Sequence, residues 1–176
     1  MTRHILVATD GSDTAQKAVT LAAELAAKFD VPLTVGHVLQ YGRRADEMAR
    51  MAEVEHIVDA VKGNANADFA FLNRSGGGLI NTGTGPSQQT MRAISLIGEE
   101  IVKRGAQHAR DLGAKTVDTR VVMDDPADGI LDMAEEAGAD MIVVGHRGLG
   151  RVRSLLAGSV AQKVNHNAEC TVVIAR

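Results

Sequence analysis

MIVVGHRGLGRVRSLLAGS, residues 141–159, joins a short apolar run to a basic, glycine-punctuated segment that ends at a helix start. Met141-Ile142-Val143-Val144 is too short to make a helix and has no polar alternation, the pattern of a strand buried on both faces. Gly145, Gly148 and Gly150 then give the chain unusual conformational freedom before Gly158-Ser159 opens a new helical stretch. Such a segment is either a merely flexible connection or a backbone that closes around an anion. Which of the two it is depends on the fold that the flanking elements build.

Working outward, Ile5-Leu-Val-Ala8 is a second buried run, bounded by Asp10-Gly11. Ser12 or Asp13 can cap a helix in which Ala15, Ala18, Val19, Ala22, Ala26 and Phe29 recur at helical spacing. Pro32 opens an extended run from Leu33 to Leu39, and Thr116 to Met123 is a third, also β-branched. Asp125-Pro126 supplies an N-cap with proline in the first turn, Ala127, Ile130, Ala134 and Ala137 form the apolar stripe, and Gly138 stops that helix. Met141 to Val144 is the fourth strand, the helix from Ser159 follows, and Thr171 to Ala175 is the fifth. Strands alternating with helices predict an α/β fold: an open five-stranded parallel sheet with helices on both faces. The chain has no internal repeat.

The interval from Tyr41 to about Ile97 breaks this rhythm. Met48, Met51, Val54, Val58 and Val61 stand at helical spacings, whereas Arg74 to Thr90, RSGGGLINTGTGPSQQT, lacks periodicity and reads as a mobile loop. Ile94, Ile101, Ala109 and Leu112 then mark a helix ending at Gly113. Residues 1–176 are therefore expected to be a single domain carrying an inserted helical and Gly-rich segment at 41–97. A long structureless loop in a compact domain is either functional or disordered, and the sequence alone does not choose.

Composition narrows the function classes. A hydrophobic share of 45% and a charged share of 23% are those of an ordinary water-soluble globular domain. A formal charge of -3, with no Trp and one Tyr, disfavours nucleic-acid binding, which wants a basic field or stacking platforms. No apolar run is long enough to span a bilayer, and Met1-Thr-Arg-His leads into no secretory pattern. Cys170 is the single cysteine, so no internal disulfide forms. A cytoplasmic location, without membrane insertion, is expected. Cys170 itself reads as a buried small apolar group rather than a reactive thiol.

In an open parallel sheet, ligands bind beyond the carboxyl ends of the strands, where the connections reverse direction. Two loops lie at such ends: Asp10-Gly-Ser-Asp13, and Gly145 to Ser159. Gly145 and Gly148 lack a Cβ, so an anion can come close to their amides. Gly158-Ser159 begins a helix, whose unpaired N–H groups and positive dipole end favour phosphate. The Ser159 hydroxyl adds a donor, and Ser12, His146, Arg147 and Arg151 are candidates for the phosphate rim. Asp10 would repel a phosphate and suits a sugar hydroxyl or base amine at the other end of a ligand. The plainer reading stays open beside this one: Asp10-Gly11 as a simple turn with Asp10 capping the first helix, and the basic residues as solvated surface.

The spacing Gly145-x-x-Gly148, then Gly158-Ser159, resembles the ATP-binding signature of the universal stress protein family. HILVATDGSDTAQKAV at the amino end, DDPADGILDMAEEAGADMIVVGHRGLG later and SVAQKVNHNAECTVVIAR at the end agree with it. The resemblance covers roughly residues 3–40 and 98–176. It implies a Rossmann-like sheet of order 3-2-1-4-5 with an adenine nucleotide at its carboxyl edge. By matching positions, Asp10 and Val38 would contact the nucleoside, Val144 and Gly145 would lie at the loop entry, and Gly148, Gly158, Ser159 and Val160 would line the phosphates. It also implies a homodimer through the last strand, here Cys170 to Ala175. Thr171 stands where many relatives have Pro, and Asp124 where a glycine is frequent. The segment 41–97 has no counterpart in that pattern.

The resulting expectation is a regulatory ATP-binding stress-response protein, a sensor or assembly switch acting on an unknown partner. The alternatives are a slow ATPase or nucleotide-transferring enzyme, a receptor for AMP or cyclic AMP, and a scaffold that binds nothing. No G-x-x-x-x-G-K-[ST] loop is present, and Ser75-Gly76-Gly77-Gly78 does not follow the first strand. No catalytic residue is assigned. His4, His37, His56, His108 and His166 show no ligand-like spacing, so no protein-held metal is expected, and Mg²⁺ would arrive with ATP.

Overall fold

A computed structural model describes residues 2–40, 61, 88–147 and 158–176. The elements, in chain order, are β1 (Ile5–Ala8), α1 (Asp13–Phe29), β2 (Leu33–Leu39), α2 (Gln88–Asp111), β3 (Val117–Met123), α3 (Pro126–Ala137), β4 (Met141–Gly145), α4 (Ser159–Asn167) and β5 (Thr171–Ala175). The five strands form one sheet of order β3-β2-β1-β4-β5, and every neighbouring pair is parallel. The expected architecture is the observed one.

Boundaries shift in three places. The third strand starts at Val117 rather than Thr116, and the fourth runs on to Gly145 rather than Val144, while the fifth is Thr171–Ala175 as expected, with Cys170 just ahead of it. The third helix-forming stretch starts at Gln88, inside the segment read as loop. There the Gly/Ser/Thr run gives way to Met91, Ala93, Ile94, Ile97 and Ile101, a stripe that packs into one apolar cluster with Leu39. The helical spacing at 48–58 and the loop at 75–86 lie outside the described residues. Val61 is described, is helical, and is buried in that same cluster.

Local chemistry explains the element ends. Ser12 caps α1, its Oγ accepting from the Ala15 amide at 3.3 Å, and Asp125 caps α3 with Pro126 in the first turn. β1 and β2 are almost wholly buried, as strands covered on both faces must be. One face carries Ile5, Val7, Val35 and Val143 against α1 and α2. The other carries Leu6, Val38, Ile142 and Val144 against α3 and α4. Asp140 fixes the amino end of β1: its carboxylate accepts from the Arg3 amide at 3.0 and 2.9 Å and from the His4 amide at 3.3 Å. Among the described residues, no helix is long and apolar enough to cross a membrane.

The chain runs from β1 outward to β2 and β3, then crosses back to β4 on the other side of β1. The connections therefore reverse between β1 and β4, the switch point beyond whose carboxyl ends open parallel sheets bind their ligands.

Candidate functional site

The chain leaves β1 through a tightly specified hook. The Thr9 amide donates to the Gly36 carbonyl at 2.9 Å, continuing the ladder by one residue. Gly11 then adopts φ 78, a left-handed conformation that glycine enters without steric cost. Its amide donates to Thr9 Oγ1 at 3.2 Å. Asp10 Oδ1 accepts from the Ser12 amide at 3.1 Å and from Ser12 Oγ at 2.6 Å. Asp10 thus holds the cap of α1 rather than being the cap, and the plain-turn reading is corrected to that extent.

The exit from β4 meets α1 closely. Gly145 pairs with Ala175 of β5, and a Cβ on Gly145 would sit 3.0 Å from the carbonyl carbon and oxygen of Thr14. Thr14 Oγ1 in turn donates to the Arg147 carbonyl. The His146 amide donates to the Ala175 carbonyl at 2.7 Å, and the Gly158 amide to the His146 carbonyl at 2.8 Å. Both ends of the glycine-rich segment are therefore pinned beside the first turn of α1. Gly148, Gly150 and Arg151 lie outside the described residues.

Helix α4 begins with a glycine cap. Gly158 is extended at φ -61 and ψ 153, and no side chain caps the helix among the described residues. The first intrahelical bond is Gln162 N–H to Gly158 O at 3.0 Å, so the amides of Ser159, Val160 and Ala161 precede the helical ladder. A Cβ on Gly158 would meet only ordinary contacts, 3.4 Å from the His146 oxygen and 3.6 Å from Arg147 Cα. Nothing within the described protein demands a glycine there, in contrast to Gly145.

Val38 and Val144 belong to one apolar cluster on the α3/α4 face, and Val160 packs against it. Both strand residues are buried, Val38 under α3, where a Cβ on Gly129 would approach its methyls to 3.0 and 3.1 Å. The structure brings Asp10, Ser12, Gly145, His146 and Arg147 to the β1/β4 carboxyl edge, with Gly158 against the same loop entry. Ser159 and Val160 form the first turn of α4.

Three cations act on His146 at this edge. Burial first, then the nearby cations Arg147, Arg176 and Lys17, hold His146 below its ordinary imidazole value. Lys17 and Arg176 also line a groove of about 520 Å³ between α1 and the end of β5, beside the sheet edge rather than at the β1/β4 switch point.

The sequence profile of the Universal stress protein family matches residues 1–176. The chain belongs to that family. It is 28% identical to universal stress protein YxiE of Bacillus subtilis over 181 residues, covering 100% of both chains. Among solved structures it resembles a universal stress protein in complex with cAMP, at 21% identity and TM-score 0.61, covering 99% of this chain and 97% of that one. It also resembles the Archaeoglobus fulgidus universal stress protein in complex with dAMP, at 22% identity and TM-score 0.58, covering 99% and 98%. The profile spans residues 41–97 as well, where the motifs alone showed no correspondence.

In this universal stress protein, sequence reasoning missed three contributors to the edge. Thr14 ties α1 to the loop after β4, and Lys17 and Arg176 shape the field at His146. No spacing in the sequence singles them out, because α1, the β4 exit and the end of β5 meet only in the folded sheet. His37 shows no ligand-like spacing in the sequence. It is 2% exposed and bonds to Thr9, and its place in a wholly buried run was the signal, since a buried polar group needs a partner.

Proposed function

We propose that this universal stress protein binds ATP, carried with Mg²⁺, at the carboxyl edge of its sheet and uses the bound nucleotide as a sensor or assembly switch. One observation carries the reading: the first turn of α4 has a glycine cap with no side chain on it, although the described residues leave room for a Cβ. A helix start kept bare in this way suits an anion that must approach the backbone. In this reading Gly158, Ser159 and Val160 line the phosphates together with Gly148, and Ser12, His146 and Arg147 stand at the rim. Asp10 accepts from the sugar or base, with Val38 and Val144 beneath the nucleoside and Gly145 at the loop entry. The complexes of its structural relatives with cAMP and dAMP support an adenine ligand.

Among the described residues no group of three His, Cys, Asp or Glu side chains is disposed to hold a metal. Mg²⁺ would be held by phosphate oxygens and water. Assembly in this proposal is a homodimer through β5. That edge strand, Thr171–Ala175, carries no charged side chain, whereas the opposite edge, β3, carries Asp118 and Arg120. Charges on an edge strand discourage pairing, and their absence invites it. The working compartment is the cytoplasm, where Cys170 stays reduced.

A second reading, a receptor for AMP or a cyclic nucleotide, is favoured by the monophosphate ligands of those relatives. One equilibrium titration separates the two: nucleotide-stripped protein with MgATP, run beside AMP and cyclic AMP, with Gly158→Val as control. Saturable MgATP binding that the variant loses is the expected result. Preference for AMP or cyclic AMP would establish the second reading, and no binding by folded protein would sink both.

A further inference from the structure

His37 lies in the buried strand β2, and its Nδ1 is 2.7 Å from the carbonyl oxygen of Thr9. A carbonyl oxygen only accepts, so Nδ1 carries the proton and donates, which fixes the tautomer. Helix α2 closes over the ring: a Cβ on Gly98 would stand 3.1 Å from His37 Cδ2. An apolar side chain would spare this strand the cost of burying a polar group, and the bond to the Thr9 carbonyl offsets that cost at Nδ1.

The bond ends on the peptide that leads into Asp10. That peptide is trans and planar, so holding its oxygen also sets the direction of the Asp10 amide. The Thr9 amide is held from behind by Gly36, and Ser12 holds the Asp10 carboxylate from ahead. His37 is the side-chain anchor between these two, at the point where the ladder has ended and the turn begins. We infer that His37 is a positioning residue of the nucleotide site: it orients the Thr9–Asp10 peptide, and through it the Asp10 carboxylate, without touching the ligand. This rests on the nucleotide reading above.

The test compares His37→Asn, which keeps a donor near the Nδ1 position, with His37→Gln, which moves it to the Nε2 position, and with His37→Leu. In nucleotide-free protein, amide exchange at Gly11 and Ser12 should stay slow in wild type and the Asn variant and quicken in Gln and Leu. MgATP affinity should fall about fivefold in the Gln and Leu variants and recover in Asn, a change of the size one hydrogen bond produces. Combined with Asp10→Ala, His37→Gln should have no further effect on affinity, which a merely structural role would not produce. Equal exchange and affinity in the Asn and Gln variants, or an undiminished effect beside Asp10→Ala, would overturn the inference. If wild type binds no MgATP, the nucleotide reading fails by itself, while the exchange rates still decide whether His37 holds the turn. Should His37→Leu not fold, the Asn and Gln pair decides both points.

Discussion

Gly145 stands so close to Thr14 that a Cβ there would lie 3.0 Å from the Thr14 carbonyl carbon and oxygen and 3.1 Å from the Ala15 nitrogen. These are backbone atoms of the first turn of α1, so they cannot swing aside. The end of β4 and the start of α1 are packed main chain to main chain. A Cβ on Gly158, in the same signature, would meet nothing closer than 3.4 Å among the described residues. The two glycines therefore answer to different causes. Gly145→Ala should destabilise the fold by about 2 kcal/mol, as overpacking does. Gly158→Ala should cost less than about 1 kcal/mol, the difference between glycine and alanine at a helix cap. Urea melts of the two variants check this, and equal losses would refute the distinction.

Much of this architecture is legible in one dimension because each element carries its own punctuation. The apolar runs at 5–8 and 141–144, the Ser12 and Asp125 caps and the Gly138 stop act within a few residues, so spacing alone finds them. The start of α2 was misplaced because Gln88-Gln89 looks like the polar run before it, and only burial of Ala93 and Ile97 reveals the helix face. The site is less legible. Asp10 and Ser12 are sequence neighbours, and so is their bond. The contacts from Thr14 to Arg147 and from His37 to Thr9 cross the sheet, and no local pattern announces them. The structural contrast between Gly145 and Gly158 is likewise invisible in a motif that writes both as G.

Asp140 is expected to make stability depend on acid. Burial alone would push its carboxyl up, but the Arg3 and His4 amides and the Arg3 guanidinium together hold it below the ordinary range. The guanidinium is 84% exposed, so the two amides carry most of the effect. A depressed folded-state value means the contribution is fully present above the unfolded value of about 3.9 and lost as pH falls through the folded one. Asp140→Asn should cost about 1 kcal/mol at neutral pH and close to nothing in strong acid. Thermal melts of both proteins across this range would show the two curves converging, and parallel curves would contradict the assignment.

Assembly through β5 can be tested without disturbing the sheet. The Thr171 amide donates inward to the Asp140 carbonyl at 3.3 Å, so by alternation along the strand the Val172 and Ile174 amides face the open edge. Proline at an outward position removes an edge donor and leaves the inward ladder in place. Val172→Pro should therefore be monomeric at concentrations where wild type sediments as a dimer. A variant that stays dimeric, with its circular dichroism unchanged, would move the interface elsewhere.

Proton linkage at His146 offers a readout of where the phosphates sit. In the free protein, burial and then the cations Arg147, Arg176 and Lys17 hold the imidazole below its ordinary value. Phosphates at the start of α4, whose Gly158 amide bonds the His146 carbonyl, would offset those cations and raise the value. With the bound-state value above the free one, binding takes up protons. Affinity then tightens as pH falls through the bound-state value and levels off below the free-state value. The His146 Cε1–H resonance should titrate below the ordinary imidazole range alone and higher with saturating MgATP, and His146→Ala should flatten the pH dependence of affinity. Arg176→Met, which removes one of the repelling cations, should raise the imidazole value before any nucleotide is added. A His146 value that saturating MgATP leaves unmoved would mean that the phosphates bind away from the β4 exit.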